Sequence, residues 1–365
     1  MLRTGIVGLP NVGKSTLFNA LTSTRNAQSA NYPFCTIEPN IGVVEVPDER
    51  LPILAKLCKT ENIIPTAIEF VDIAGLVKGA SKGEGLGNQF LQNIREVDAI
   101  IQVVRCFDDA NTIHVEGKVD PISDIETINT ELALADIASI ERRQARIAKS
   151  VKGGDKAAIL EDKVLTKLME LLQGCSFINI NEHFEGDELP IAKMLNLMST
   201  KPVIYCANVS EFDLKDGNDY TQKVGEYAAA HGAEMVIISA KIEEELADLG
   251  KDEAKEYLND LGIEDSGINK MIKSVYSLLK LRTFITAGEK EVRAWTITAG
   301  TKAPQAAGVI HTDFEKGFIR AEITPYKDFA ELGSYNACKE KGVTRLEGKE
   351  YVIQDGDLVH FRFAV

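Results

Sequence analysis

The stretch Gly8-Leu9-Pro10-Asn11-Val12-Gly13-Lys14-Ser15 constrains the fold of this chain more than any other. It fits G-x-x-x-x-G-K-[ST], and its flanks fit too. Apolar Ile6 and Val7 precede it as a short strand, and Thr16, Leu17, Phe18, Ala20 and Leu21 follow as a helix. Strand, loop and helix in that order are the context a phosphate-binding loop requires. Gly8 and Gly13 permit a tight turn and a close approach of the backbone to a polyphosphate. The loop N–H groups and the helix N-terminus offer partial positive charge to the phosphates. Lys14 can reach the β- and γ-phosphates, and the Ser15 hydroxyl can ligate Mg²⁺. The bland alternative, a glycine turn with a chance lysine, explains neither the spacing nor the flanks.

At 365 residues the chain is too long for one small core, so two or three domains are expected. With 44% hydrophobic and 26% charged residues its composition is that of a soluble globular protein. No apolar run approaches the length that spans a bilayer, and the N-terminus enters the strand without a signal-peptide pattern. The six cysteines, at positions 35, 58, 106, 175, 206 and 338, include no C-x-x-C pair. That pattern reads as reduced thiols in a cytoplasmic protein, not as a disulfide frame or zinc site. The net charge of −14 argues against coating nucleic acid non-specifically. The charge is uneven: residues 121–282 carry 19 basic and 29 acidic side chains, residues 283–365 carry 11 and 12. Any contact with RNA is therefore expected to be local.

Beyond the loop, Asn31-Tyr32-Pro33-Phe34-Cys35-Thr36 has no period and reads as a loop before a strand-like stretch at 36–46. A threonine here, Thr36, can close over Mg²⁺ and a γ-phosphate, as in P-loop switch proteins; the bland reading is a strand-start residue. Residues 67–72 form a strand ending in Asp72-Ile73-Ala74-Gly75, a D-x-x-G. Asp72 is placed to hold Mg²⁺ through water, and Gly75 to offer its N–H to the γ-phosphate. Four glycines at 79–87 mark a segment built to move. The position after D-x-x-G often carries a glutamine that orients water, and here it is Leu76. His114, after the strand at 99–105, is the candidate to supply the missing polar group; a surface histidine is the plain alternative. Cys35, beside Thr36, reads as a packed small residue, with redox coupling to nucleotide binding as the sharper alternative.

Two later strands, at 202–207 and 235–238, end in Asn208-Val209-Ser210-Glu211 and Ser239-Ala240-Lys241. These stand where a guanine-binding GTPase carries N-K-x-D and S-A-K. Val209 replaces the lysine and Glu211 the aspartate that accepts guanine N1–H and the 2-amino group. A purine pocket without that pair loses discrimination for guanine, so ATP or relaxed specificity is inferred; the alternative is that Glu211 still reads guanine.

Together the P-loop through Asn19, Asn31-Tyr32-Pro33-Phe34-Cys35-Thr36-Ile37-Glu38-Pro39-Asn40, Asp72-Ile73-Ala74-Gly75-Leu76-Val77-Lys78-Gly79-Ala80 and the N-x-x-E resemble the YchF group of Obg-like ATPases. The likeness runs the length of the chain, through Trp295-Thr296, residues 303–308 and residues 311–320. It implies an α/β fold: a Ras-like P-loop NTPase domain from 1–120 and 201–281, an antiparallel helical hairpin inserted at 121–200, and a C-terminal α+β TGS domain of β-grasp type at 282–365. It implies a Mg²⁺-dependent ATPase that prefers ATP to GTP, binds the large ribosomal subunit and acts as a monomer. By resemblance Asn11, Val12, Gly13, Lys14, Ser15 and Thr16 bind phosphates, Asn208, Val209 and Ser239 form the base side, and Ser15 and Thr36 ligate Mg²⁺. Lys14, Gly75 and His114 are the catalytic candidates, and Leu76 matches the family's hydrophobic replacement of glutamine. A GTPase of the Obg class, or a ribosome-bound scaffold with a structural nucleotide, are the competing readings.

In the inserted segment Ile125, Ile128, Leu132, Ala135 and Ala138 recur at helical spacing, as do Ile159, Leu160, Val164, Leu168, Leu171 and Leu172. With Gly153-Gly154 between them, two antiparallel helices are expected with a tip near 150–156. Arg142, Arg143, Arg146, Lys149, Lys152 and Lys156 cluster at that tip, a local phosphate-seeking patch for RNA or a solvated helix end. Residues 212–282 read as acidic helical stretches closed by an amphipathic helix (Ile268, Ile272, Val275, Leu278, Leu279). From Arg282 short strands are expected at 294–297, 318–323, 351–353 and 359–363 around one helix at 305–310. By resemblance this tail makes RNA, regulatory or protein contacts.

Overall fold

The computed structural model describes residues 2–23, 40–73, 86–109, 119–174 and 177–364. Thr36, Gly75 and His114, with Cys35 and Leu76, lie outside the described residues. In chain order the strands are β1 (Arg3–Val7), β2 (Ile41–Glu45), β3 (Ile63–Ile64), β4 (Ala67–Asp72), β5 (Ala99–Arg105), β6 (Val203–Asn208), β7 (Glu234–Ile238), β8 (Leu281–Ala287), β9 (Val292–Thr298), β10 (Phe318–Pro325), β11 (Arg345–Glu347) and β12 (Asp357–Phe363). Contacts divide the described chain into two compact units, one of residues 2–23, 40–44 and 69–275, the other of residues 45–68 and 276–364.

The first unit is built on a sheet of order β2-β4-β1-β5-β6-β7, with β4, β1, β5, β6 and β7 paired in parallel. Strands β5 and β6 are buried at every position, which is why their sequences are apolar runs without alternation. Strand order reverses at β1, because β4 lies on one side of it and β5 on the other. Ligands of open parallel sheets bind at the carboxyl ends of strands at such a switch point. The carboxyl end of β1 is Val7, and the P-loop begins at the next residue.

The expected hairpin is present: a 32-residue helix, Pro121–Lys152, and a 17-residue helix, Lys156–Leu172. Asp120 caps the first through the Ser123 N–H, with Pro121 at the first helical position. Gly154, at φ +81, makes the turn, and Asp155 caps the second helix through the Ala157 and Ala158 N–H groups. Ala133, Ile140, Val164, Leu165, Leu168 and Leu172 form the buried seam with Ile178, Ile180, Phe184, Ala192 and Leu197. Two expected core positions differ: Ala138 is exposed and Ile159 is 46% exposed. The helix turns so that Ile140 faces the partner helix, while Asp136 instead accepts the Ser199 N–H at 2.8 Å. Polar side chains tie the base of the hairpin to its neighbours: Gln102 of β5 donates to the Ile125 carbonyl, and Asn129 to the hydroxyl of Tyr227 on the helix Asp219–Ala230. The hairpin therefore shares a compact unit with the sheet.

The second unit includes residues 45–68 beside residues 276–364, a grouping by contacts that differs from the 1–120 segment expected from sequence. Strand β3 pairs with β9, Ile63 beside Val292. The helix Arg50–Cys58 buries Leu51, Leu54 and Ala55 against Ile285, Val292, Ala294, Phe329 and Leu358. Each fully buried leucine contributes about 2 kcal/mol, which this short helix obtains nowhere else in its own segment. Arg50 binds Asp48 and Asp355, each at 2.8 Å. The sheet order is β11-β10-β12-β8-β9-β3, with antiparallel β8/β9 and β10/β12 and a parallel β12/β8 pair. The mixed sheet sets its first long strand, β8, beside its last, β12. Beside the helix Arg50–Cys58, the tail itself supplies four described helices rather than one: Ala303–Ile310, Thr312–Lys316, Tyr326–Leu332 and Tyr335–Glu340. Residues 351–353 form only a bridge, Lys302 with Val352, because turns close on both sides of so short a run.

One buried acid makes the first unit sensitive to pH. Glu243, 3% exposed, accepts the Gly267 N–H at 2.7 Å and so caps the helix Gly267–Leu278. Burial pushes its carboxyl from 4.5 up to about 7. A folded-state value above the unfolded one means that its stabilisation is complete below 4.5 and is lost as pH rises through about 7. Glu243→Gln keeps an acceptor without the charge. Between pH 5 and pH 8 it should gain roughly 2 kcal/mol on the wild type, read by urea unfolding at each pH. A stability difference independent of pH would contradict this.

Candidate nucleotide-binding site

The P-loop is shaped by its glycines and by one asparagine. At Gly8 a Cβ would lie 2.8 Å from a Val12 methyl and 2.9 Å from the Val103 carbonyl. Gly13 holds φ +91, and a Cβ there would strike the Asn208 amide. Asn11, at φ +64, takes the left-handed conformation that asparagine tolerates better than most residues. The helix Lys14–Ser23 starts directly behind, with Leu17 N–H on the Gly13 carbonyl at 3.0 Å. Its first turn carries no acidic residue, so the helix itself does not offset the partial positive charge of its N-terminus.

Lys14 is 8% exposed, and its ammonium pairs with the Asp72 carboxylate. Strand register brings the two together: Ile6, at the end of β1, lies beside Asp72, at the end of β4. The Asp72 N–H is fixed on the Asn40 carbonyl at 2.8 Å and the Ile73 N–H on the Ile6 carbonyl at 3.1 Å. Ser15, one residue past Lys14, is exposed, with Thr16 half-buried behind it. A carboxylate and a hydroxyl are hard oxygen donors, the set that suits Mg²⁺ when phosphates and waters complete its shell.

On the base side Asn208 spends its amide on the backbone. Its Nδ2 donates to the Val12 carbonyl at 2.8 Å, and its Oδ1 accepts the Ala240 N–H at 2.9 Å. The Val209 N–H donates to the Ile238 carbonyl at 2.8 Å. These bonds tie the P-loop, the end of β6 and the start of the helix Ala240–Ala247 into one frame. Asn208 thus sits where the sequence predicts, but as a strut. The Ser239 hydroxyl is buried without a hydrogen-bond partner among the described residues, although Ser239 stands at the N-terminus of that helix.

Two partnerships escaped sequence reasoning. Lys241 pairs with Glu211 at 2.8 Å. Arg105, 1% exposed, donates to the Phe107 carbonyl at 3.1 Å and the Asp109 carbonyl at 3.4 Å, and its guanidinium lies over the Phe107 ring. Arg105 therefore fixes the chain immediately before the segment that carries His114. The one sequence signal for it is a cation closing an apolar strand.

At the hairpin tip Arg143 is committed to Glu161, at 2.5 and 3.1 Å, and Arg142 folds onto the Ala138 carbonyl and Ser139 hydroxyl. Arg146, Lys149, Lys152 and Lys156 are exposed. The acid nearest them, Asp155, is spent on capping. The C-terminal unit has its own cleft of about 740 Å³, walled by Trp295, Phe314, Phe361 and Phe363 with Lys339 and Arg362.

The strut gives a direct expectation. Asn208→Ala leaves a buried N–H and a buried carbonyl unpaired, so it should cost about 2–3 kcal/mol of unfolding free energy and weaken nucleotide binding. A urea transition unchanged from wild type would contradict the bridging role.

A family model described as a 50S ribosome-binding GTPase matches residues 3–140. A second, named for the YchF-GTPase C-terminus and described as a protein of unknown function, matches residues 281–364. The chain is 55% identical over 366 residues to the ribosome-binding ATPase YchF of Bacillus subtilis, covering all of both chains. It is 56% identical over 361 residues to the protein of that name from Haemophilus influenzae, covering 99% of each. The solved structure of the Schizosaccharomyces pombe YchF GTPase matches with a TM-score of 0.88 and 42% identity, over 99% of this chain and 97% of that one. The chain belongs to the YchF family of Obg-related P-loop NTPases.

Proposed function

We propose that the chain is a Mg²⁺-dependent ATPase of the cytoplasm that hydrolyses ATP in preference to GTP, binds the large ribosomal subunit and switches with nucleotide state. Its full-length relatives bear the name ribosome-binding ATPase, and the model that matches its N-terminal part is described by the 50S subunit. The observation that carries the adenine preference is at Val209. Its N–H is spent on Ile238, while among the described residues its carbonyl accepts no hydrogen bond. A backbone acceptor suits the 6-amino donor of adenine and faces the wrong group on guanine, whose O6 is itself an acceptor.

Asn11, Val12, Gly13, Lys14, Ser15 and Thr16 cradle the phosphates. Ser15, Thr36 and, through water, Asp72 would hold Mg²⁺, which when bound offsets charge on the β- and γ-phosphates. Lys14 pairs with Asp72. Arriving phosphates draw its ammonium away and release the carboxylate. Lys14 and the Gly75 N–H then stabilise charge as the γ-phosphoryl leaves. Leu76 cannot orient water, so intrinsic turnover is slow, and His114 supplies the polar group in its place. The tail, residues 282–365, is a TGS domain in this reading, and the molecule a monomer. RNA contact falls on Arg146, Lys149 and Lys152, with Lys156, and on the TGS domain; Arg142 and Arg143 are engaged within the hairpin. The competing GTPase reading has support in the name of the fission-yeast relative, a YchF GTPase.

The test has two parts. His114→Ala should lower ATP turnover with and without ribosomes while leaving ATP affinity unchanged; an unaffected rate would remove the histidine from the mechanism. Reversing the charges of Arg146, Lys149 and Lys152 should weaken co-sedimentation with large subunits about tenfold and flatten its salt dependence. Unchanged binding would remove the tip from the ribosomal contact.

A further inference from the structure

The ion pair between Glu211 and Lys241 joins the two segments that frame the base. Glu211 is the fourth residue of Asn208-Val209-Ser210-Glu211, and Lys241 the third of Ser239-Ala240-Lys241. Their backbones are tied by Asn208 to Ala240 and by Val209 to Ile238, so the 2.8 Å contact spans a fixed frame. The other acid near Lys241, Glu245, accepts the Tyr257 hydroxyl at 2.9 Å, which leaves Glu211 as the ion-pair partner of Lys241. Glu211 is 35% exposed at its side chain, within reach of solvent and of a ligand. A carboxylate at this end of the loop is the acceptor that guanine N1–H and the 2-amino group require. Once an ammonium occupies it, a guanine must displace or share that partner, whereas an adenine makes no such demand.

We infer that Lys241 is a positioning residue that sets base specificity: it holds the Glu211 carboxylate off the base edge and so suppresses GTP binding. The inference rests on the ATP-preferring reading above, and one experiment separates the two. Exposed pairs shift equilibria by about two- to fivefold, so the lock contributes to the preference without being its sole source.

The experiment is competitive binding of MgATP and MgGTP to nucleotide-free wild type, Lys241→Met, Lys241→Arg, Glu211→Gln and the double variant Lys241→Met with Glu211→Gln. Methionine keeps the apolar stem and removes the charge. Lys241→Met should shift the ratio of ATP to GTP affinity about two- to fivefold towards GTP. Lys241→Arg should keep the wild-type ratio, and Lys241→Met should cause no shift when Glu211→Gln is already present. Equal loss of both nucleotides, or the same shift with and without Glu211, would overturn the inference. A wild type that binds GTP more tightly would overturn the ATP reading alone, because coupling between positions 241 and 211 still decides the role of the lock.

Discussion

The first unit's site depends on a single side-chain amide. Asn208 reaches from the end of β6 to the Val12 carbonyl on one side and the Ala240 N–H on the other. It adds a direct side-chain bridge between the P-loop and the start of the helix Ala240–Ala247, beside the pairing of β6 with β7. A nucleotide needs both at once, phosphates at one and base at the other. Because the amide is buried, its bonds are made where water cannot compete, and leaving either partner unpaired is expensive. The close approach also explains Gly13, since a side chain there would collide with the strut.

Around that frame, two charges are held in ion pairs. Lys14 rests on Asp72 and Lys241 on Glu211. The two pairs differ in burial. Lys14 is almost enclosed, so its charge is costly to leave unpaired and a polyphosphate is a strong replacement partner. Lys241 is largely exposed, so its pair is weak and can bias a choice between bases without governing binding.

The P-loop, the parallel core strands and the helical hairpin were legible because each is written locally. Gly8, Gly13 and Lys14 sit at spacings fixed by the phosphate chemistry, and β5 and β6 are apolar runs that only a doubly covered sheet accommodates. The helix Arg50–Cys58 shows where such reading stops. Its apolar face says that it must be buried, but not that its partners stand at 285, 292 and 358. Ala138 and Ile159 failed for a related reason: periodicity marks a stripe of the helix, while packing decides which edge of it is used. At the site, residue types were readable and partnerships were not. Nothing local tells that Asn208 serves the backbone, that Arg143 is consumed by Glu161, or that Lys241 finds Glu211.

The most direct test of this nucleotide site is a crystal structure with a non-hydrolysable ATP analogue and Mg²⁺. The phosphates should lie against Gly13 and Lys14, with the Lys14 ammonium moved from Asp72 to phosphate oxygens and Asn208 still bridging Val12 and Ala240. Phosphates bound elsewhere, Lys14 still paired with Asp72, or an Asn208 amide released from either partner would contradict the site as assigned.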